Sequence, residues 1–222
     1  MSHNLAIKLR SGTQDSHTAT ENIGFMKSFV KGVIDRSCFA KFLSNLYFVY
    51  SELEAALESN KNHPCVGVIY FPELNRKANL EQDLQFFYGS DWQNQIAPLT
   101  SAKNYVSRIR ELSVKQPELL IGHAYTRYMG DLSGGQMLQK VVQSTFNLVG
   151  YQGTSFYNFE KIPDKQVFKN HYREALDQVP VDDTTADKIV AEANNSFQFN
   201  MEIAKELEAI LIESIGEEKV KG

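Results

Sequence analysis

Between Ala124 and Leu138 a strongly helical pattern runs straight through three glycines, Gly130, Gly134 and Gly135. Each glycine in a helix interior is about 1 kcal/mol worse than alanine, so roughly 3 kcal/mol of helix stability is forgone here. Gly130 and Gly134 are four residues apart and share a face, and two missing Cβ atoms let a flat molecule or another backbone come very close. Asp131 projects beside that cleared face, and the adjacent Gly134–Gly135 pair offers a place for a kink. Close helix–helix packing accounts for such a pair as readily as a ligand does. A membrane dimerisation motif does not, because Arg127 and Asp131 flank the glycines. Leu132-Ser133-Gly134-Gly135-Gln136 also matches the signature of transporter ATPases, but the phosphate-cradling G-x-x-x-x-G-K-[ST] loop those enzymes need does not occur.

Helical periodicity extends to nearly the whole chain. Leu5, Leu9 and Thr13 recur after Asn4, a good N-cap residue. Asp35 or Ser37 is suited to cap a long helix in which Phe39, Phe42, Leu43, Leu46, Val49, Tyr50 and Leu53 form one apolar stripe, ending near Asn60–Pro64. Val66–Phe71 is bracketed by Pro64 and Pro72 and reads as an extended connector. Further helices are expected over 76–88, 100–115, 117–148, 164–176 and 184–214, with Pro117 at a first-turn position. Gly150–Tyr157 is a glycine- and aromatic-rich loop able to pin a bend. No repeat or linker interrupts this pattern. The expectation is an all-α, single-domain multi-helix bundle over residues 1–215, with 216–222 as a short flexible tail.

The 222 residues carry 42% hydrophobic and 23% charged side chains, enough for a substantial core. The net charge of -4 is unevenly spread: residues 182–222 hold ten acidic and four basic side chains, leaving a mildly basic body. Nothing in that balance supports nucleic-acid binding. Two cysteines, Cys38 and Cys65, make neither a disulfide framework nor a four-cysteine metal site, and suit a reducing compartment. The N-terminal residues lack a signal-peptide pattern and no apolar window reaches the roughly 20 residues of a membrane span, so a soluble chain without a membrane anchor is expected.

Of the five histidines, His3, His17, His63, His123 and His171, His17 has the best context. Arg10, Gln14, His17 and Glu21 lie broadly on one face of the first helix. Seven residues of helix rise about 10.5 Å, comparable to the reach from a porphyrin centre to its propionates. An imidazole over a metal would then place Arg10 at a propionate, with Glu21 orienting the other ring nitrogen. A polar face with an exposed histidine fits the same spacing. Lys169 and Arg173, like charges at i,i+4, form a face suited to a dianion. Phe197 and Asn200 share a face of the last helix; Phe197 suits either the core or the wall of a flat hydrophobic ligand, with the core favoured on spacing alone.

These segments together resemble one family. Tyr125-Thr126-Arg127-Tyr128-Met129-Gly130-Asp131-Leu132-Ser133-Gly134-Gly135-Gln136 is similar to the signature of heme oxygenases, and Ser16-His17-Thr18-Ala19-Thr20-Glu21-Asn22 to their proximal-helix motif. Tyr70-Phe71-Pro72-Glu73-Leu74 with Leu80-Glu81-Gln82-Asp83-Leu84 matches a further block. The resemblance covers most of residues 4–215 and is nearest to the cyanobacterial and algal-plastid forms. It implies haem held between the first, proximal helix and a glycine-kinked distal helix, with His17 as iron ligand and Glu21 behind it. Arg10, Tyr125, Lys169 and Arg173 would face the propionates. Gly130 and Gly134 would let the distal helix lie against the porphyrin, while Asp131 organises water with Tyr50 and Arg127. Phe197 and Asn200 would line the pocket; Ala204 stands where some relatives carry an aromatic residue. The implied reaction opens haem b, both substrate and cofactor, at the α-meso carbon with O2, giving biliverdin, carbon monoxide and ferrous iron. Reduced ferredoxin is the implied electron donor, a bilin reductase the implied consumer, and the cytoplasm or plastid stroma the implied compartment. A haem carrier or sensor on the same fold, and a thiaminase-like enzyme of similar architecture, are the alternatives.

Overall fold

The computed structural model describes residues 4–221; residues 1–3, with His3, and Gly222 lie outside the described residues. The architecture is all-α. Eleven α-helices occur among the described residues: α1 (Leu5–Gly12), α2 (Gln14–Glu21), α3 (Gly24–Val30), α4 (Arg36–Ser59), α5 (Lys77–Tyr88), α6 (Thr100–Lys115), α7 (Leu120–Ala124), α8 (Gly130–Phe146), α9 (Lys165–Asp177), α10 (Asp183–Ile215) and α11 (Glu217–Lys221). None is long and apolar enough to cross a membrane.

The 33-residue α10 is the mast of the bundle and packs against α1, α2, α3, α4, α6, α7 and α11. It starts at Asp182, whose carboxylate accepts from the Thr185 N–H at 2.8 Å. The second long helix, α4, is capped by Asp35, which accepts from the Cys38 N–H at 2.8 Å. Its predicted stripe is the core: Phe39, Leu43, Val49, Tyr50 and Leu53 are fully buried.

Several local expectations change. The first helix is two, broken at Thr13, whose hydroxyl donates to the Leu9 carbonyl at 2.7 Å. The joint is tied to α10 by Asn194, which donates to the Gly12 carbonyl at 2.9 Å and whose Oδ1 lies 2.5 Å from Ser16 Oγ. The Asn4 side chain makes no cap bond; Asp177 at the end of α9 accepts from the Ala6 N–H at 2.9 Å instead. Of residues 66–71 only Tyr70 and Phe71 are extended, lying between the 3₁₀ turns Gly67–Ile69 and Pro72–Leu74. The segment 117–148 is a 3₁₀ turn (Pro117–Leu119), α7, five residues of π-helix (Tyr125–Met129) and then α8. The departure from α geometry therefore precedes Gly130 rather than falling at Gly134–Gly135. Where a flexible tail was expected after 215, α11 packs on α3: Val220 is buried, and its carbonyl accepts from Ser28 Oγ at 3.1 Å.

Gly122 on α7 is packed backbone against backbone. A Cβ there would lie 2.7 Å from the Ala193 nitrogen and 2.9 Å from the Ile189 oxygen of α10. Neither main chain can yield cheaply. Gly122→Ala should cost about 2 kcal/mol, read in a thermal melt as a midpoint lowered by roughly 4–8 °C for a chain of this size.

Candidate functional site

A cavity of about 1120 Å³ opens between α1–α2, α3, the π segment with α8, and α10. That is somewhat above the roughly 300 to 1,000 Å³ of most small-ligand sites. Arg10, His17 and Glu21 line it from α1 and α2; Tyr125, Gly130, Asp131 and Gly134 from the π segment and α8; Phe197 and Asn200 from α10. The break at Thr13 has not cost the helical face its alignment, since Gln14 lines the same cavity.

His17 Nδ1 lies 3.7 Å from Glu21 Oε1, an ion-pair distance longer than a hydrogen bond. That pairing leaves Nε2 as the nitrogen available to a ligand. The imidazole meets Phe197 edge to face at 6.1 Å between ring centres, so Phe197 is a wall of the cavity and not the core residue that its spacing suggested. A Cβ added at Gly130 or Gly134 would meet nothing within 4 Å. The two glycines therefore present bare backbone to open space, while the small-residue contact between helices falls at Gly122 and Gly12.

Arg127 also lines the cavity, and with Asp131 and Asn200 it forms one polar network that Tyr50 joins from behind. Tyr50 donates to Asp131 Oδ2 in a short hydrogen bond. Arg127 donates from Nε to Tyr50 Oη at 3.1 Å and from Nη1 to Asn200 Oδ1 at 2.7 Å, and its Nη2 lies 3.6 Å from Asp131 Oδ1. Burial lifts the Asp131 carboxyl above its ordinary value, against the pull of Arg127 and the Tyr50 bond. Burial also opposes the Arg127 charge, yet Tyr50 and Asp131 beside it hold the guanidinium above its usual range. Tyr50 and Arg127 thereby form a cage that fixes the orientation of the Asp131 carboxyl at the cavity.

The cage is anchored further back. Asn200 donates to the Ser196 carbonyl at 2.7 Å, Ser196 Oγ lies 2.6 Å from Tyr105 Oη, and Tyr105 Oη lies 3.2 Å from His123 Nδ1. His123, fully buried, reaches Glu192 at 2.9 Å through Nε2, and Arg108 donates to both Glu192 oxygens at 3.0 and 2.7 Å. Burial would raise the Glu192 carboxyl, but its bonds to His123 and Arg108 prevail and bring it down to about 2.

Arg173 lines the cavity, and Tyr125 stands near both Arg10 and Arg173. Lys169 does not line it; it stands beside Lys165, and Gln166 takes the lining position on α9. Tyr50 is likewise behind the wall, reaching the site through Asp131. Ala204 is buried away from the cavity. Sequence reasoning missed α3, which contributes Met26, Lys27 and Val30. No local spacing marks this helix in the sequence; only the fold leaves Val30 45% exposed at the cavity. Also missed were His123 and Glu192, which are distant in sequence and meet only across the α7–α10 contact.

A heme oxygenase family model matches residues 3–206. The chain is 50% identical over 216 residues, 97% of its length and 90% of the relative's, to heme oxygenase 1 of Synechocystis. It is 49% identical to the heme oxygenase of Porphyra purpurea over 97% of this chain and 91% of that one. The fold superposes on the crystal structure of the Synechocystis heme oxygenase-1 in complex with heme with a TM-score of 0.93, at 50% identity and covering 96% of each chain. Superposition on the Synechocystis heme oxygenase-2 in complex with heme and NO gives 0.95 at 45% identity, covering 98% of this chain and 90% of that one.

Because Gly130 and Gly134 face open space, Gly→Ala at either position should leave the ligand-free chain as stable or up to about 1 kcal/mol more stable. The same changes should weaken occupancy of the cavity, so melts without ligand and ligand titrations should move in opposite directions. For Glu192 the folded carboxyl lies below its ordinary 4.5, so its stabilisation is present above that value and lost as pH falls toward about 2. In acid titrations the stability gap between the parent chain and Glu192→Gln should stay constant near neutrality and close across that window.

Proposed function

Because the chain belongs to the heme oxygenase family, we propose that it opens haem at the α-meso carbon to biliverdin, releasing carbon monoxide and ferrous iron. The observation that carries this reading is one cavity with His17 on one wall and the bare backbone of Gly130 and Gly134 on another, Asp131 standing between the glycines. The residues fit haem: an available imidazole nitrogen suits iron, and open space at both glycines accommodates a flat ring where side chains would intrude. Haem, when bound, supplies the iron that activates oxygen and the ring that is oxidised.

The chain's own residues do the rest. His17 would hold the iron through Nε2, with Glu21 steadying the imidazole from the side of Nδ1. Arg10, Tyr125 and Arg173 receive the propionates, with Lys169 adding positive charge from behind the lining. The bare backbone of Gly130 and Gly134 would leave room for the flat ring and keep side chains off that wall. Asp131 holds the proton that the reaction consumes and passes it through water; Tyr50 and Arg127 fix the carboxyl, and Phe197 and Asn200 close the wall. Two buried hydroxyls, Tyr128 Oη and Tyr157 Oη, have no protein partner among the described residues and lie within the field of Asp131, which supports buried water on this side. His123 does not touch the cavity and serves as an anchor.

Electrons come from reduced ferredoxin in this reading. An acidic donor would meet Lys27, which lines the cavity from α3 beside the propionate-facing arginines, on a chain of net charge -4. A bilin reductase would take the product, in a cyanobacterial cytoplasm or a plastid stroma.

The test is reconstitution with haem, followed by oxygen and either reduced ferredoxin or a small reductant, with the product identified by chromatography. Wild type should yield biliverdin IXα; a Soret band that persists without bilin absorption would make the chain a haem carrier instead. Asp131→Ala should retain haem and lose biliverdin formation by about 100-fold, the scale of a lost proton-delivery group. Lys27→Gln should slow turnover with ferredoxin more than with the small reductant, and equal slowing would remove the docking reading.

A further inference from the structure

The three glycines of α8 do different work. Gly130 and Gly134 face open space, but a Cβ at Gly135 would lie 3.1 Å from Cδ1 of Tyr157, closer than such a contact normally allows. Tyr157 ends the buried 3₁₀ turn Ser155–Tyr157, so the third glycine admits an aromatic ring from behind the helix. That turn is pinned on its other side by α5. Asp83, fully buried, accepts from the Ser155 N–H at 2.7 Å and from the Phe156 N–H at 2.8 Å. Arg76, at the start of α5, donates to the Asn158 carbonyl at 2.6 Å. The preceding Gly153 has φ +68° and is pressed on α5 so closely that a Cβ would lie 2.8 Å from Phe86 and 2.9 Å from Phe87.

The same turn reaches the site a second way. Phe156 packs edge to face on Tyr50 at 5.4 Å, and Tyr50 donates to Asp131. None of Asp83, Gly135, Phe156 and Tyr157 lines the cavity. They form a strut from α5 through the turn to the back of α8, and interiors this densely packed transmit displacement instead of absorbing it.

We propose that Asp83 and Gly135 are positioning residues: through the Ser155–Tyr157 turn they set how α8 stands over the cavity, and thereby which meso carbon of the haem is opened. The second half rests on the haem-opening reading; the first does not. A methyl at position 135 has to displace either the Tyr157 ring or the helix. Removing the Asp83 carboxylate frees the turn from α5 and slackens α8 from behind.

Two measurements decide it. In the haem-free full chain, hydrogen exchange of the amides of residues 131–139 should quicken about tenfold or more in Asp83→Ala, with α6 unchanged. Acceleration confined to residues 155–158, or spread evenly over the chain, would overturn the strut. In the haem-loaded chain, Gly135→Ala should give a mixture of biliverdin isomers and about tenfold slower turnover at unchanged haem affinity. Gly135→Ala combined with Tyr157→Leu, which removes the ring that the methyl meets, should return both toward wild type. A single isomer from Gly135→Ala, or no recovery in the double variant, would refute the positioning role. If wild type makes no biliverdin, the haem-opening reading fails, and the exchange experiment still decides whether the strut exists.

Discussion

At Gly122 the main chain of α7 meets the main chain of α10, close enough that even a methyl group would collide with backbone. The rest of the structure is referred to that contact. Because the two helices touch there, His123 on α7 lies within 2.9 Å of Glu192 on α10, and one turn beyond Glu192 the Ser196 hydroxyl meets Tyr105. Another turn along α10 brings Asn200 to Arg127. The cavity is thus framed by one helix pair fixed at its closest point, and its polar wall is read off successive turns of α10.

The polar cage illustrates how a protein keeps a charged group buried without letting it drift. Arg127 stays charged because Tyr50, Asp131 and Asn200 occupy its donors, and those partners are themselves held by further bonds. Removing any one member leaves a buried group unsatisfied, which costs more than the bond itself contributed. This is why the carboxyl at the cavity keeps its orientation although burial lifts it above its ordinary value.

Much of this was legible from residues alone, and the omissions have physical reasons. The stripe of α4, the bounds of α6 and the cap at Asp35 follow from local periodicity and local hydrogen bonding, so they read directly. His17, Glu21 and the glycine face were visible as same-face spacings that survive in three dimensions. The joint at Thr13 was hidden because nothing but a threonine hydroxyl and the distant Asn194 marks it. Lys169 shares a helical face with Arg173, but α9 is turned so that Gln166 takes the lining position instead. His123 with Glu192, and Asp83 with the Ser155–Tyr157 turn, are long-range pairs: each half is unremarkable until the fold joins them. The block around Asp83 stood out as a motif without a stated task, and the turn that it holds supplies one.

The five π-helical residues at Tyr125–Met129 also act as a phase device. An α-helix turns about 100° per residue, and one widened turn inserts a single residue without advancing the following helix. Everything from Gly130 onward is therefore rotated relative to α7 by about that angle. Upstream of the insertion the helix presents Gly122 and His123 to α10; downstream it presents Gly130 and Gly134 to the cavity. One stretch of chain thereby faces two directions without a loop. A length change of a single residue in this stretch would be more consequential than most substitutions in it, because it would turn both glycines away from the space they leave open.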